Sequence, residues 1–406
     1  MFKHDRGAIL ACVLLLFSGA SCAQAGGDED NALSLRGFGT LGMARSSSAD
    51  AQFVRDLSQP QGLERSPSFQ ADSLLGVQAN YRLNDHVEAV AQGVSHFRYD
   101  ATYRPELTWA FVKYTLAPDR AIRVGRFATE FFMLADSRMV GYSYLPVRPP
   151  VDFYGNLPVN YMDGVDGQIT TRLDAGLIRT KLYAGLAREV IPAKTQVVDL
   201  GGSRTVGASL DFQAGHWMTR LTYTRLRFQN HSDPGNLAAP LVAAGAGAAA
   251  QALELEGTTA IYRALGVLYD DGTLQAQMAL NLTRYGSAVF EDSRSGYLSA
   301  GYRFGQVTPY LGYSWSRSSA KALNTGLTGI VGAGLNTAVR MLMAGAYRDQ
   351  HTSVIGGRWD FARNMDLKVQ LDRVRASPDS VGLMHSVNGG WDGSIDVFSL
   401  ALDFMF

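Results

Sequence analysis

A closed antiparallel β-barrel of sixteen membrane-crossing strands is the fold class that the sequence predicts. Three observations carry it. Apolar and polar residues alternate repeatedly along the chain with a consistent sense, short and long connections between these segments take turns, and no apolar stretch beyond the N-terminal region is clean enough for a membrane helix. Backbone groups in lipid must be paired, so strands can cross only as a closed barrel.

The alternation is clearest at the C-terminus. Phe398, Leu400, Leu402, Phe404 and Phe406 fall on one face, and Val397, Ser399, Ala401 and Asp403 on the other. Side chains along a strand repeat every two residues, so such a segment shows one face to lipid and one to an aqueous interior. Upstream, Leu75, Val77, Ala79, Tyr81 and Leu83 oppose Gln78, Asn80 and Arg82, while Leu367, Val369 and Leu371 oppose Asp366, Lys368, Gln370 and Asp372. The pairs Ile355, Trp359, Phe361 against Arg358, Asp360, and Ile178, Leu182, Leu186 against Arg179, Lys181, follow the same rule. A soluble sandwich also alternates. Charged faces along the whole chain, with no second large apolar sheet to cover them, favour a wet lumen.

Tight turns are expected at 83–85, 117–119, 173–175, 211–215, 270–272, 304–306 and 362–364. Longer connections lie near 46–72, 129–163, 189–203, 230–257 and 317–350, with shorter ones near 287–292 and 377–394. Outer-membrane barrels have this asymmetry, with short periplasmic turns and longer external loops. The sixteen strands are expected to begin near 33, 73, 86, 106, 120, 164, 176, 204, 216, 258, 273, 293, 307, 351, 365 and 395. An alternative adds a strand from Leu335 to Tyr347 and shifts its neighbours. A barrel of this circumference leaves an aqueous channel.

Residues 1–25 read as a removable signal peptide, and 26–406 as a single barrel domain. Lys3 and Arg6 precede an apolar run from Ala8 to Leu16, and Ala23-Gln24-Ala25 offers small residues for cleavage. A lipid anchor on Cys22 is the rival reading, with Gly19 standing where an aliphatic residue is usual. Cleavage would remove both cysteines, so disulfides are not expected to hold the mature fold. The balance of 37 basic against 37 acidic residues gives no support for nucleic-acid binding.

The long third external loop, from about Thr129 to Asp163, is the first functional candidate. It carries Glu130, Asp136, Arg138, Arg148, Asp152 and Asp163, with aromatic and proline residues that suit an ordered element. Folded into the lumen, it would narrow the opening and place its acids opposite wall arginines. An ordered external loop is the alternative. Strand phase nominates Arg36, Arg82, Arg98, Arg123, Arg179, Lys181, Arg220, Arg358 and Lys368 for the inner wall, with Glu88, Asp366 and Asp372 as acidic neighbours. A lipid-facing charge at mid-membrane costs roughly 2–4 kcal/mol, so most charged strand residues should point inward or sit near the rim. Arg123 immediately precedes the loop; Arg126 has the opposite parity. Phe404, Phe406, Trp359, Phe361, Trp217, Tyr81 and Tyr114 fit interfacial belts near strand ends.

Other patterns are discounted. Gly37-Phe38-Gly39-Thr40-Leu41-Gly42 has dinucleotide-fingerprint spacing but sits in a strand pattern without a following helix. Asn281-Leu282-Thr283 matches a glycosylation acceptor within a strand. The histidines lack metalloprotease spacing and no G-x-S-x-G element occurs, so neither an enzyme nor a cofactor or metal is expected.

The chain resembles the Gram-negative general porin superfamily over nearly all of residues 31–406. The resemblance rests on Ala121-Ile122-Arg123-Val124-Gly125-Arg126-Phe127, on the hairpin from Thr352 to Arg375, and on the terminal Leu402-Asp403-Phe404-Met405-Phe406. It implies passive diffusion of small hydrophilic solutes and ions, a homotrimer, and contact with outer-membrane lipid and lipopolysaccharide. It also implies a pore-wall role for Arg123 opposite Asp136 or Asp152, and an assembly signal at the terminal aromatic. The familiar acidic run of the loop is missing here, where acids alternate with Arg138 and Arg148. A porin specific for a small anion or organic acid, and a non-conducting adhesive or structural barrel, are the competing functions.

Overall fold

The computed structural model describes residues 32–406 apart from 134, 156–158, 193–196, 378 and 382. The expected signal peptide lies outside the described residues. Sixteen strands form the wall: β1 (Leu33–Ser46), β2 (Leu74–Arg82), β3 (Val87–His96), β4 (Glu106–Ala117), β5 (Arg120–Ala128), β6 (Tyr161–Leu173), β7 (Gly176–Ala187) and β8 (Arg204–Ala214). They continue with β9 (Trp217–Arg227), β10 (Thr259–Asp270), β11 (Leu274–Tyr285), β12 (Asp292–Tyr302), β13 (Val307–Ser319), β14 (Asp349–Ala362), β15 (Met365–Ala376) and β16 (Ser394–Met405). Each pairs antiparallel with its chain neighbours, and β1 pairs with β16 to close the barrel. The largest offset from expectation is at β6, which begins at Tyr161 rather than near 164.

The seam explains two glycines of the discounted fingerprint. Gly37 exchanges backbone hydrogen bonds with Phe406, at 2.7 and 2.9 Å. A side chain at Gly37 would collide with the Phe406 ring, and one at Gly39 with the Phe404 ring. Glycine here lets aromatic rings lie across the neighbouring strand.

The extra strand considered at Leu335–Tyr347 does not form. Gly329–Ala344 is an α-helix in the connection between β13 and β14. Its Val339 and Met343 bury against Leu241, Ala249 and Leu253 from two short helices, Ala238–Ala243 and Gly247–Leu253, between β9 and β10, and against Leu237 just before the first. The apolar residues of these helices therefore cover each other. Helical spacing and tertiary contact override the apolar composition that suggested a strand. No helix of the described residues is long and apolar enough to cross a membrane.

The outward face is apolar: Leu182, Leu221, Leu280, Leu282, Leu298, Leu311, Ile355 and Val369 all stand exposed there. Tyr81, Tyr114, Trp217, Trp359, Phe361 and Phe406 are exposed at the short-turn end, where an interfacial belt is expected.

Candidate functional site

The inner wall carries a row of charges in direct register. Arg82 pairs across with Glu88, Glu88 with Lys113, Lys113 with Arg123, and Arg123 with Asp166, over the five strands β2 to β6. Arg82 is exposed, while Glu88 and Lys113 are half-exposed and 3.9 Å apart. Arg123 holds Asp166 through Nε at 2.9 Å and Nη2 at 2.5 Å. Its guanidinium also lies between the Phe111 and Phe127 rings, 5.2 and 5.1 Å from their centroids. Those rings fix the direction in which the cation points.

Farther round the wall, Asp211 on β8 accepts from Arg220 on β9 at 2.5 and 2.8 Å and from Arg179 on β7 at 2.6 Å. On β14 to β16, Arg358 lies 3.1 Å from Asp366, and the fully buried Lys368 lies 2.9 Å from Asp403. Arg36 is an exposed residue of the inner face of β1, opposite Gln78. Arg98 departs from the expected wall position. β3 ends at His96, so Arg98 belongs to the following connection, where it lies 3.7 Å from Glu106. The strand ends two residues before Arg98, so strand phase no longer fixes its direction.

The connection from Thr129 to Asn160 bonds to wall residues on many strands. Glu130 meets Lys181 on β7 and, at 3.1 Å, Arg220 on β9. Phe131, Phe132, Phe153 and Tyr154 pack with Tyr262, Ala279 and Tyr297 of β10, β11 and β12. Asp152 accepts hydrogen bonds from Ser314 at 2.5 Å and from Gln350. The carbonyl of Gly141 accepts from Lys368 at 2.7 Å, and that of Tyr142 from Arg358 at 2.7 Å. Arg148 donates to Asp72 at 2.7 and 2.9 Å, to Asp372 at 2.7 Å and to Ser399 at 2.5 Å.

Charge sets the state of these groups. Burial pushes the Glu130 carboxyl up, but Lys181 and Arg220, helped by Arg123, more than offset it and hold it ionised. Burial raises Asp152, whose hydrogen bonds to Ser314 and Gln350 only partly counter that. Asp136 is exposed; the enclosing protein and the Glu130 charge raise its pKa. The neighbouring basic groups pull the other way.

The two loop acids thus meet different surroundings. Asp136 lies within electrostatic reach of Arg123, Lys181 and Arg220, whereas Asp152 is held by neutral hydroxyl and amide donors. Asp163, read as part of the loop, belongs to β6 and pairs with Arg126 at 2.6 Å, on the phase opposite to Arg123. Sequence reading gave Glu130 and Arg148 no wall partner. In the β14–β16 cluster, strand phase nominates Arg358, Lys368 and Asp366; Asp403 is marked only as an acid on the less apolar face of the last strand. Among the described residues, no group of three or more His, Cys, Asp or Glu could hold a metal ion.

The fold is that of the sixteen-stranded transmembrane barrels of bacterial outer membranes. No family model and no curated protein matches the chain. Solved structures do. Salmonella typhi OmpF in complex with daunomycin aligns with a TM-score of 0.57 at 13% identity, over 92% of this chain and 97% of that one. The anion-selective porin from Comamonas acidovorans gives 0.54 at 12%, over 92% and 99%. The outer-membrane channel DcaP of Acinetobacter baumannii gives 0.55 at 12%, over 92% and 97%.

Proposed function

We propose that this barrel is a passive diffusion channel for small hydrophilic solutes and ions across a Gram-negative outer membrane. The observation that carries the reading is the in-register row Arg82, Glu88, Lys113, Arg123, Asp166 on the inner face of a closed sixteen-stranded wall. Arg82, Glu88 and Lys113 stand open on that face, and charges so placed suit a water-filled lumen. The segment 129–163 folds inward and narrows that lumen, with Asp136 facing Arg123, Lys181 and Arg220 across the remaining water. Such a constriction sets size exclusion by diameter and ion preference by local field.

A channel specific for a small anion or organic acid is the second reading. The loop arginines give it little support. Arg148 is taken up by Asp72 and Asp372, and Arg138 bonds to Asn160 and to the carbonyl of Tyr154. We also propose cleavage of residues 1–25, contact with outer-membrane lipid and lipopolysaccharide, and a homotrimer. One of the similar solved barrels, OmpT of Vibrio cholerae, has been described in a trimer form.

Single-channel recording of the refolded chain in planar bilayers tests the reading. Ohmic conductance that small solutes do not block supports free diffusion, and steps in threes support the trimer. Saturable block by one class of solute would replace it with the specific channel. A verified folded barrel without conductance would overturn both and leave the adhesive or structural role.

A further inference from the structure

Four arginines are buried among the described residues: Arg138, Arg148, Arg220 and Arg348. Three have partners in the chain. Arg148 meets Asp72 and Asp372, Arg220 meets Asp211 and Glu130, and Arg138 bonds to Asn160 and lies 3.7 Å from Asp56. Arg348, only 8% exposed, forms no ion pair among the described residues, and its Nε is sealed from solvent without an acceptor. We infer that Arg348 is the cationic half of a binding site for a small organic monocarboxylate at the external end of the inner wall. For a role in transport the inference rests on the small-anion reading above; binding itself needs only the folded barrel.

The ladder fixes the position. Arg348 directly precedes β14, where its carbonyl accepts from the Ser318 N–H and its own N–H donates to Ser318 Oγ, both at 2.7 Å. Pairing with β13 thus continues as far as Arg348. The residue shares the inward phase of Gln350, whose amide reaches Asp152 of the inward connection. The long connections mark this end of β13 and β14 as external in an outer-membrane barrel.

A charge taken out of water is costly unless it is paired and hydrogen-bonded. Burial lowers the pKa of Arg348, and Tyr285 and Glu291 do not restore it, whereas at Arg148 two carboxylates outweigh burial. The missing partner is therefore an anion from outside the chain.

Three neighbours narrow its chemistry. A guanidinium forks two donors onto the two oxygens of a carboxylate. Tyr285 stands within electrostatic reach of Arg348, and its hydroxyl, without a hydrogen-bond partner among the described residues, supplies a further donor. The Tyr285 and Phe290 ring centroids are 5.2 Å apart, and both rings, with Val289, pack on the apolar cluster that includes Phe228 and Leu255. That surface suits the carbon chain of an organic acid better than a hydrated inorganic ion. Glu291 favours a single negative charge. It is buried, accepts from Ser318 Oγ and lies within electrostatic reach of Arg348, so it repels a doubly charged phosphate.

The test uses the full chain refolded in neutral detergent, with butyrate, uncharged butyramide or inorganic phosphate added at equal ionic strength. Apparent affinity is read from the rise in melting temperature with concentration. Butyrate is expected to raise it, phosphate to raise it less, and butyramide to leave it unchanged. Arg348→Gln should weaken butyrate binding by about tenfold or more and Tyr285→Phe by about fivefold. Arg340→Gln, at an exposed position of the helix Gly329–Ala344, should bind like the parent. Glu291→Gln should strengthen phosphate binding more than butyrate binding.

A ligand-free measurement guards against variants that merely fold badly. Arg348→Met should melt no lower than the parent, because no partner in the chain is lost. A drop as large as that of Arg148→Met would show Arg348 paired within the chain and overturn the inference. Equal shifts with butyrate and butyramide, equal shifts with butyrate and phosphate, or unchanged butyrate binding in Arg348→Gln would overturn it too. Conductance separates the site from the specific channel. Butyrate binding that needs Arg348 but leaves the conductance unblocked supports the site and removes the specific channel. Block that survives Arg348→Gln overturns the site and leaves that channel standing.

Discussion

Arg148, on the connection between β5 and β6, and Asp372, on β15, meet at 2.7 Å although 224 residues separate them in sequence. The same guanidinium also holds Asp72, ahead of β2. Three distant parts of the chain are therefore tied at one buried cation. Its charge is held firmly because Asp72 and Asp372 outweigh the cost of burial.

Removing that cation leaves two buried carboxylates without their partner. Arg148→Met is expected to cost roughly 3–5 kcal/mol. Urea unfolding of the refolded barrel checks the cost. Channel recordings should show a larger and noisier conductance if the loop narrows the lumen, and an unchanged trace would count against that role.

Glu130 faces both Lys181 and Arg220. Glu130→Gln leaves the inner wall one positive charge richer at the loop. Anion over cation permeability is expected to rise by about fivefold, the equivalent of ~1 kcal/mol for one screened charge. Reversal potentials across a salt gradient measure it, and the rise should shrink at high ionic strength.

Glu189, just past β7, is buried, and burial pushes its carboxyl up to about 7 despite backbone donors from Tyr161, Asn160 and Arg188. A raised acid pKa means that the folded chain holds the proton more tightly than the unfolded one. This group's contribution is therefore complete below the unfolded value near 4.5, falls as pH rises, and is lost above about 7. The loss amounts to roughly 3 kcal/mol. Glu189→Gln should flatten that part of the stability profile in unfolding titrations between pH 4 and 8.

Gly37 and Phe406 join the first and last strands by two backbone hydrogen bonds under the aromatic ring. Gly37→Val forces that ring aside at the closing seam. Heat-modifiable mobility on gels should show a lower folded yield, with a melting temperature several degrees lower for ~1–3 kcal/mol of overpacking. Gly167→Ala, with open space around its site, is the matched control.

Much of the barrel was legible because its physics is local. Alternation marked the faces, and turn residues such as Asn84-Asp85 and Asp271-Gly272 marked the reversals, so strand starts could be placed closely. Local signals are weakest where strands end. Arg98 lies two residues beyond its strand, and Leu335–Tyr347, which falls in the expected long connection and only alternatively reads as a strand, lies largely within a helix that packs on Leu241 and Leu253. For the site, phase told which side of the wall each cation occupies. It could not tell that Asp152 meets Ser314 and Gln350 while Glu130 meets two cations.

Strand number, strand order, the inward and outward faces and the ends that carry long connections were all legible in the residues alone. These follow from a two-residue period and turn chemistry, both readable within a few neighbouring residues. Which charges meet depends on the fold in three dimensions: Glu130 with Arg220, and Arg148 with Asp72 and Asp372. Those partnerships depend on register around a closed ring and on the path of one long connection. Both are set by the summed packing of distant segments, which no local pattern encodes.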